Sequence, residues 1–165
     1  MKRHQPKIEV EASPAERALE VVCIIALAYT LLLPALRWDS IPATVPTHFD
    51  ASGEVTTMGP RAALWLLVGI TVLLYIGMSA IQRIPHMYNY PVRITEQNAA
   101  AQYRLGRLFM AAMKAWCVLL FAGIIHIILR AALGGPGVGT GFLVFTFGGI
   151  VVLLGGYVVL ARRAR

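Results

Sequence analysis

Four long apolar runs constrain what this 165-residue chain can fold into more than any other feature. Each run is close in length to the roughly 20 helical residues that cross a hydrocarbon core of about 30 Å. Backbone groups in lipid must pair within their own segment, and these runs are apolar on every face, so they predict helices rather than barrel strands. The sequence therefore predicts an all-α, polytopic membrane protein with spans at residues 18–36, 62–81, 108–133 and 142–161.

The charged residues support a bilayer setting and predict its direction. Only 14% of residues are charged, against about 25% in an average soluble domain. The net charge of +7 comes mostly from basic residues beside the apolar runs, so we interpret it as an orientation signal and expect no nucleic-acid partner. By the positive-inside rule, the loops and tails rich in Lys and Arg stay in the cytoplasm, so the tails 1–17 and 162–165 are predicted to be cytoplasmic. The residues on that side are Lys2, Arg3, Lys7, Arg17, Arg83, Arg93, Arg104, Arg107, Arg162, Arg163 and Arg165.

Between the first two spans lies a compact polar segment, VPTHFDASGEVTTMGPR, at residues 45–61. Within it, Asp50 and Gly53 occupy the first and fourth positions of a type I turn signature. Short runs of strand-forming residues flank this turn, which predicts a short ordered hairpin on the outer side. We therefore take this segment as the binding candidate, with residues Pro46, His48, Phe49, Asp50, Gly53 and Glu54.

The same segment raises the question of a metal site. His48, Asp50 and Glu54 could join His126, near the outer end of the third span, and two histidines with two carboxylates would suit zinc. Alternatively Asp50 caps its own turn, Glu54 faces water and the histidines make local hydrogen bonds. Their spacing matches no established metal motif, so we predict neither a metal nor another cofactor. Cys23 and Cys117 lie within apolar runs and are expected to be free thiols.

A basic stripe runs along the start of the third span. Arg104, Arg107 and Lys114 share one helical face, and Lys114 lies at least one turn inside the apolar run. A lysine at that depth is expected to extend its ammonium toward the inner headgroups. The alternative is a functional stripe that holds an anionic ligand or lipid. Lys114 and His126 are the intramembrane polar candidates for a functional role.

Small residues and breakers predict how the helices end and pack. Thr95 is the expected N-cap of the helix that leads into the third span. The glycine-rich stretch at 133–141 is interpreted as a connection between spans only. Close helix packing is expected where small residues share a face. These pairs are Gly69 with Gly77, Ala111 with Ala115, and Gly148 with Gly156.

Residues 41–59, IPATVPTHFDASGEVTTMG, resemble the "Pro-x-His-Phe-Asn/Asp-x-x-Gly" segment of a bacterial membrane family. This is the domain of unknown function at the N-terminus of the SdpI immunity protein. The inner stretch YNYPVRITEQNAAAQYRLGRLFMAAMK is similar to its continuation, and the resemblance covers about residues 19–116. It implies a bacterial inner-membrane protein and, in SdpI itself, protection from a membrane-active peptide and retention of a repressor. The matching residues are Pro46, His48, Phe49, Asp50, Gly53, Asn89, Pro91, Glu96 and Asn98.

Three functions remain open from the sequence, and they follow in order of preference, with an enzyme last. The first is a non-enzymatic SdpI-like membrane protein that binds a peptide toxin or regulatory protein, in immunity or signalling. The second is a subunit of a small oligomeric transporter or exporter, with His126 or Lys114 on a polar path. The third is a metal-dependent membrane enzyme. The lipid bilayer is the expected partner in each case, and a homo-oligomer is required by the second.

Overall fold

The computed structural model describes residues 5–50 and 52–164. These residues form four long helices and one antiparallel hairpin, with short 3₁₀ turns at Trp38–Ser40 and Pro85–Met87. All four helices are long and apolar enough to cross a membrane, and each predicted span overlaps one of them, so the predicted fold class is confirmed. The elements are α1 (Pro14–Leu36), β1 (Thr44–Phe49), β2 (Val55–Pro60), α2 (Ala63–Gln82), α3 (Ala99–Ala132) and α4 (Thr140–Arg163).

Four crossings define two sides of the protein. The start of α1 and the end of α4 lie on one side, here called the terminal side. The hairpin and the α3–α4 link lie on the other, here called the hairpin side. Helix α3 has 34 residues, or about 51 Å of length, so it exceeds a hydrocarbon core of about 30 Å. The other three helices all pack against α3, which makes it the axis of the bundle.

The helix-packing predictions were correct for the alanines and wrong for the glycines. Ala111 and Ala115 are buried in α3, as expected. Gly69, Gly77 and Gly156 face open space, and Gly148 meets only Val144 of its own helix. No neighbouring helix comes within contact distance of these four glycines, although Gly156 lines a small cavity between α3 and α4. Two other glycines make the close approaches instead, Gly123 beside Phe142 and Gly149 beside Trp116.

Capping explains where α1 and α3 begin. Ser13 and Glu16 form a reciprocal capping box at the start of α1. Helix α3 begins at Ala99, so Asn98 and not the predicted Thr95 holds the N-cap position, but Asn98 makes no side-chain cap bond to the helix. Thr95 still makes capping contacts one turn earlier. Its hydroxyl accepts from the Asn98 N–H at 3.3 Å, and the Asn98 side chain accepts from the Thr95 N–H at 2.9 Å.

A compact apolar core fixes the hairpin to the helix ends. Val45 of β1 is 1% exposed and packs with Ile125 and Leu129 of α3. The Arg61 guanidinium donates to the carbonyls of Trp38 and Ile41 at 2.9 Å each, which holds the chain leading into the hairpin. The hairpin is therefore an ordered cap on the helices, as predicted. The core cluster comprises Ile41, Val45, Leu64, Val68, Ile125, Ile128 and Leu129.

On the terminal side, the loop between α2 and α3 packs its aromatic residues on α3. The rings of Tyr88 and Tyr90 stack with their centroids 6.0 Å apart, and the ring centroids of Tyr90 and Tyr103 are 5.7 Å apart. A Cβ at Gly106 would lie 2.8 Å from the Tyr90 hydroxyl, so this glycine makes room for the loop. Burial raises the pKa of Tyr88 to about 12 and that of Tyr90 further, so both phenols are neutral at physiological pH.

Candidate functional site

Asp50 organises the tip of the hairpin through its own carboxylate. Its Oδ1 accepts hydrogen bonds from the Ser52 hydroxyl at 2.6 Å and from the backbone N–H groups of Ser52 and Glu54 at 2.9 Å each. These bonds, the one from the Ser52 hydroxyl first, lower the pKa of Asp50. The Gly53 N–H donates to the Asp50 carbonyl at 3.0 Å, which closes the predicted turn. Asp50 thus has a local structural role. This agrees with the interpretation from the sequence in which Asp50 caps its own turn, rather than with the metal-site interpretation.

Gly53 attaches the hairpin tip to the α3–α4 link. Its φ of +86° lies in the left-handed region that favours glycine, and its carbonyl accepts a 3.2 Å hydrogen bond from the Val138 N–H. A Cβ at Gly137 would lie 2.0 Å from the Gly53 carbonyl oxygen. The interpretation of residues 133–141 as a mere connection is therefore wrong, because the glycines permit this backbone-to-backbone docking.

We predict that Gly53→Ala loosens this docking. An added Cβ would lie 2.1 Å from the Val138 carbonyl oxygen, and the left-handed conformation alone disfavours alanine by about 1–2 kcal/mol. Limited proteolysis should therefore cut the link at residues 134–139 several times faster than in the wild type. Gly139→Ala is the control, because nothing lies within 4 Å of its Cβ position. Equal cleavage rates in the two variants would contradict the docking.

Of the remaining hairpin candidates, some are packed and some are exposed. Pro46 is buried in β1, and Phe49 is partly buried against the hairpin-side core and Gly137. His48 and Glu54 are exposed. His48 pairs with Thr57 across the hairpin, between two register shifts, and makes no side-chain hydrogen bond or ion pair to the described residues.

His126 does not join His48, contrary to the zinc arrangement considered from the sequence. Its Nδ1 lies 2.6 Å from the Tyr29 hydroxyl, in a contact between α3 and α1. Among residues 5–50 and 52–164, no three His, Cys, Asp or Glu side chains come close enough to hold a metal ion. The described residues therefore do not assemble the four proposed ligands.

Lys114 is the centre of a polar cluster within the bundle. Its side chain is 2% exposed, and its Nζ donates to Glu20 at 2.7 Å and to Ser79 and Gln82 at 3.0 Å each. The ammonium also lies 5.1 Å from the ring centroid of Tyr75, whose hydroxyl donates to Glu20. The expected extension toward headgroups is therefore wrong, because α1 and α2 supply all three acceptors inside the protein.

Arg107 makes the second ion pair of the cluster. Its Nε and Nη2 both donate to Glu16 Oε2 at 3.1 Å, and its Nη1 donates to the Val10 carbonyl at 2.7 Å. Gln82 connects the two pairs, since its amide donates to Glu16 and its carbonyl accepts from Lys114. We call Glu16, Glu20, Gln82, Arg107 and Lys114 the ion-pair cluster. The third stripe residue, Arg104, is exposed and does not join it.

The acids of the cluster were missed in the sequence, although a signal was present. Glu16 and Glu20 are four residues apart at the start of α1, and Glu20 lies inside the predicted first span. An acid inside one span and a lysine inside another would have predicted the Glu20–Lys114 pair. The pairing also means that two of the three stripe cations are already neutralised, which weakens the anion-binding interpretation.

A polar cavity of about 320 Å³ adjoins the cluster. Both ion pairs reach it, through Glu20, Arg107 and Lys114, and Arg83 adds a further cation to its lining. Buried ionisable groups therefore line a space that is large enough for a small polar molecule or ion. The other lining residues are Tyr75, Ser79 and Gln82.

The fold and these sites define a multi-pass membrane protein with a docked hairpin and an ion-pair cluster between its helices. Residues 22–72, which include most of α1 and the whole hairpin, match the domain of unknown function DUF1648. An uncharacterized protein of Archaeoglobus fulgidus is 30% identical over 135 residues, which cover 72% of this chain and 73% of the archaeal protein. The chain belongs to the same family as this archaeal protein. No solved structure matches the chain.

Proposed function

We propose that the chain is a non-enzymatic membrane protein of the SdpI-like group, which binds a peptide or protein partner at the hairpin in toxin immunity or signalling. The exposure of β2 supports this proposal most. Five of its six residues are exposed, including Val55 and Met58, at 40% and 51%, and it pairs with β1 alone among the described strands. An exposed strand edge with apolar side chains is a surface to which an extended peptide can add a strand.

The structural roles of the motif residues point to His48 as the recognition residue. Pro46 and Phe49 pack, Asp50 caps the turn, and Gly53 docks on the link. Local structure therefore accounts for four of the five hairpin residues that carry the resemblance. His48 is exposed without a bonded side-chain partner in the described chain, so binding is the role left for it.

The proposed setting is a bacterial inner membrane with both termini in the cytoplasm. The basic residues on the terminal side support this direction, since such residues are retained in the cytoplasm. The hairpin would then face the outside of the membrane, where a toxic peptide or the outer part of a signalling partner would meet it.

A photo-reactive amino acid at position 48 tests the proposed binding in living cells. We expect a discrete adduct with one peptide or protein on illumination, and at least a tenfold loss of its co-purification in His48→Ala. His86→Ala is the matched control, because His86 lies in the terminal-side loop, and it should leave co-purification unchanged. Adducts with lipid alone, or equal recovery with both variants, would overturn the proposal.

The polar cavity favours one second candidate, a small oligomeric transporter. An ionisable residue inside a membrane bundle is a functional candidate, and Lys114 lines a cavity of about 320 Å³. If this function holds, proton or small-ion flux into liposomes should fall at least tenfold in Lys114→Met and persist in Arg104→Gln. Wild-type protein without measurable flux would remove this candidate.

A further inference from the structure

An open groove runs along the membrane face of the bundle between α1 and α3. Its deeper part is a cavity of about 610 Å³, with Phe142 of α4 at one wall. Its upper part is a cavity of about 460 Å³ that reaches the hairpin side. The two parts meet at Tyr29 and His126, which line both. We call these two adjoining cavities together the lateral groove.

The two parts of the lateral groove differ in chemistry. The deeper part is almost wholly apolar, and its residues are Val22, Ile25, Ala26, Tyr29, Leu119, Ala122, Gly123, His126, Ile127 and Phe142. The upper part carries two cations, Arg37 and Arg130, and no acid lines either part among the described residues. An occupant that fits both parts would join an apolar chain to an anionic group.

Arg37 is free to bind that anionic group. It is exposed, and its guanidinium makes no hydrogen bond or ion pair to the described residues. Arg130 is partly engaged, since its Nε and Nη2 donate to the carbonyls of Pro136 and Gly137. Guanidinium groups bind phosphate through paired hydrogen bonds, so Arg37 supplies the recognition and Arg130 adds charge.

The lateral groove begins at the hairpin-side end of α1 and extends past the midpoint of that helix. From Arg37, directly after α1, to Val22 the chain rises about 22 Å, at 1.5 Å per residue. Half of a hydrocarbon core of about 30 Å is about 15 Å, so the groove is long enough for an acyl chain of a lipid in the hairpin-side leaflet.

We propose that the lateral groove is a specific site for an anionic phospholipid of the hairpin-side leaflet. One acyl chain lies in the apolar part, the phosphate contacts Arg37, and the Tyr29–His126 pair marks the boundary between the two. Both walls are helices without a free strand edge, so the groove does not offer an extended peptide the pairing that β2 offers. This site does not depend on the proposed function of the hairpin.

Native mass spectrometry of the whole chain in a neutral detergent tests the proposal with two probes. These are phosphatidylglycerol and phosphatidylcholine with identical acyl chains. We expect the wild type to retain one phosphatidylglycerol, at least fivefold more than phosphatidylcholine. Arg37→Gln should abolish that preference without disturbing packing, and Arg104→Gln, an exposed cation on the terminal side, should keep it.

A second part of the experiment blocks the groove with a bulky side chain. Ala122→Trp should lower phosphatidylglycerol retention at least fivefold, whereas Ala112→Trp should not. Ala112 lies in a smaller apolar cavity of about 170 Å³ between α3 and α4, which makes it the matched control. Equal retention of the two lipids by the wild type would overturn the proposal. So would a preference that survives Arg37→Gln, or a dimer mass that excludes lipid. If Ala122→Trp fails to fold, the Arg37→Gln arm decides alone.

Discussion

Arg107→Gln is expected to lower the free energy of unfolding by about 4 kcal/mol, because breaking a buried ion pair leaves one charge unpaired. That charge is Glu16, whose side chain is 3% exposed and which loses both hydrogen bonds from the guanidinium. The Nη1 bond to Val10, which holds the tail before α1, is lost as well. Titration of the detergent-solubilised protein with SDS, followed by helical circular dichroism, measures the change.

Two further variants show whether the geometry or the charge of Arg107 matters. Arg107→Lys should fall between the wild type and Arg107→Gln, because an ammonium keeps the charge but cannot form the forked contact. Arg104→Gln is the exposed control and should stay within about 0.5 kcal/mol of the wild type. An Arg107→Gln variant as stable as Arg104→Gln would show that the pair is not formed in the folded protein.

Glu20→Gln is expected to have the next largest effect, a loss of about 3 kcal/mol. It leaves the Lys114 ammonium, which is 2% exposed, without its anion at 2.7 Å. The loss lies at the lower end of the range for a broken buried pair because the Glu20 side chain is 37% exposed. The same SDS titration measures it, with Glu11→Gln as an exposed control.

The double variant Glu20→Gln, Lys114→Met tests whether the unpaired ammonium, rather than another effect of the Glu20 substitution, causes the loss of stability. Replacing both charges removes the unpaired ammonium, and an apolar side chain of similar length suits this buried position. The double variant should therefore recover most of the stability that Glu20→Gln loses. A double variant no more stable than Glu20→Gln would contradict the idea that an unpaired Lys114 causes the loss.

The ion-pair cluster matters because it joins three of the four helices. Glu16 and Glu20 come from α1, Gln82 from α2, and Arg107 and Lys114 from α3. Apolar contacts give helices little preference for one another over lipid, so polar contacts between helices fix which helices associate. The cluster performs this role on the terminal side.

The fold could be predicted from the sequence because its determinants are local. The span positions follow from run length and apolarity. The hairpin turn follows from Asp50 and Gly53, whose contacts within the turn join residues at most four positions apart. The ordered hairpin was predicted for the same reason. These features need no knowledge of which helix neighbours which.

The helix contacts could not be predicted with the same success because they depend on rotation about each helix axis. Gly69 and Gly156 suit a close approach but face open space, whereas Gly149 meets Trp116. The docking of Gly53 on Val138 joins residues 85 positions apart. The Glu20–Lys114 pair was accessible in principle, because an acid and a base at similar depths in two spans require each other.

A thiol-labelling comparison tests the central claim, that four crossings place the hairpin and the chain termini on opposite sides of a membrane. In a Cys23→Ala, Cys117→Ala background, single cysteines replace Ser52 in the hairpin and Glu9 before α1. The account predicts that an impermeant maleimide labels position 52 in intact cells and position 9 only after lysis. Labelling of both positions from the same side would contradict the four-span fold, and the reverse pattern would contradict the cytoplasmic termini.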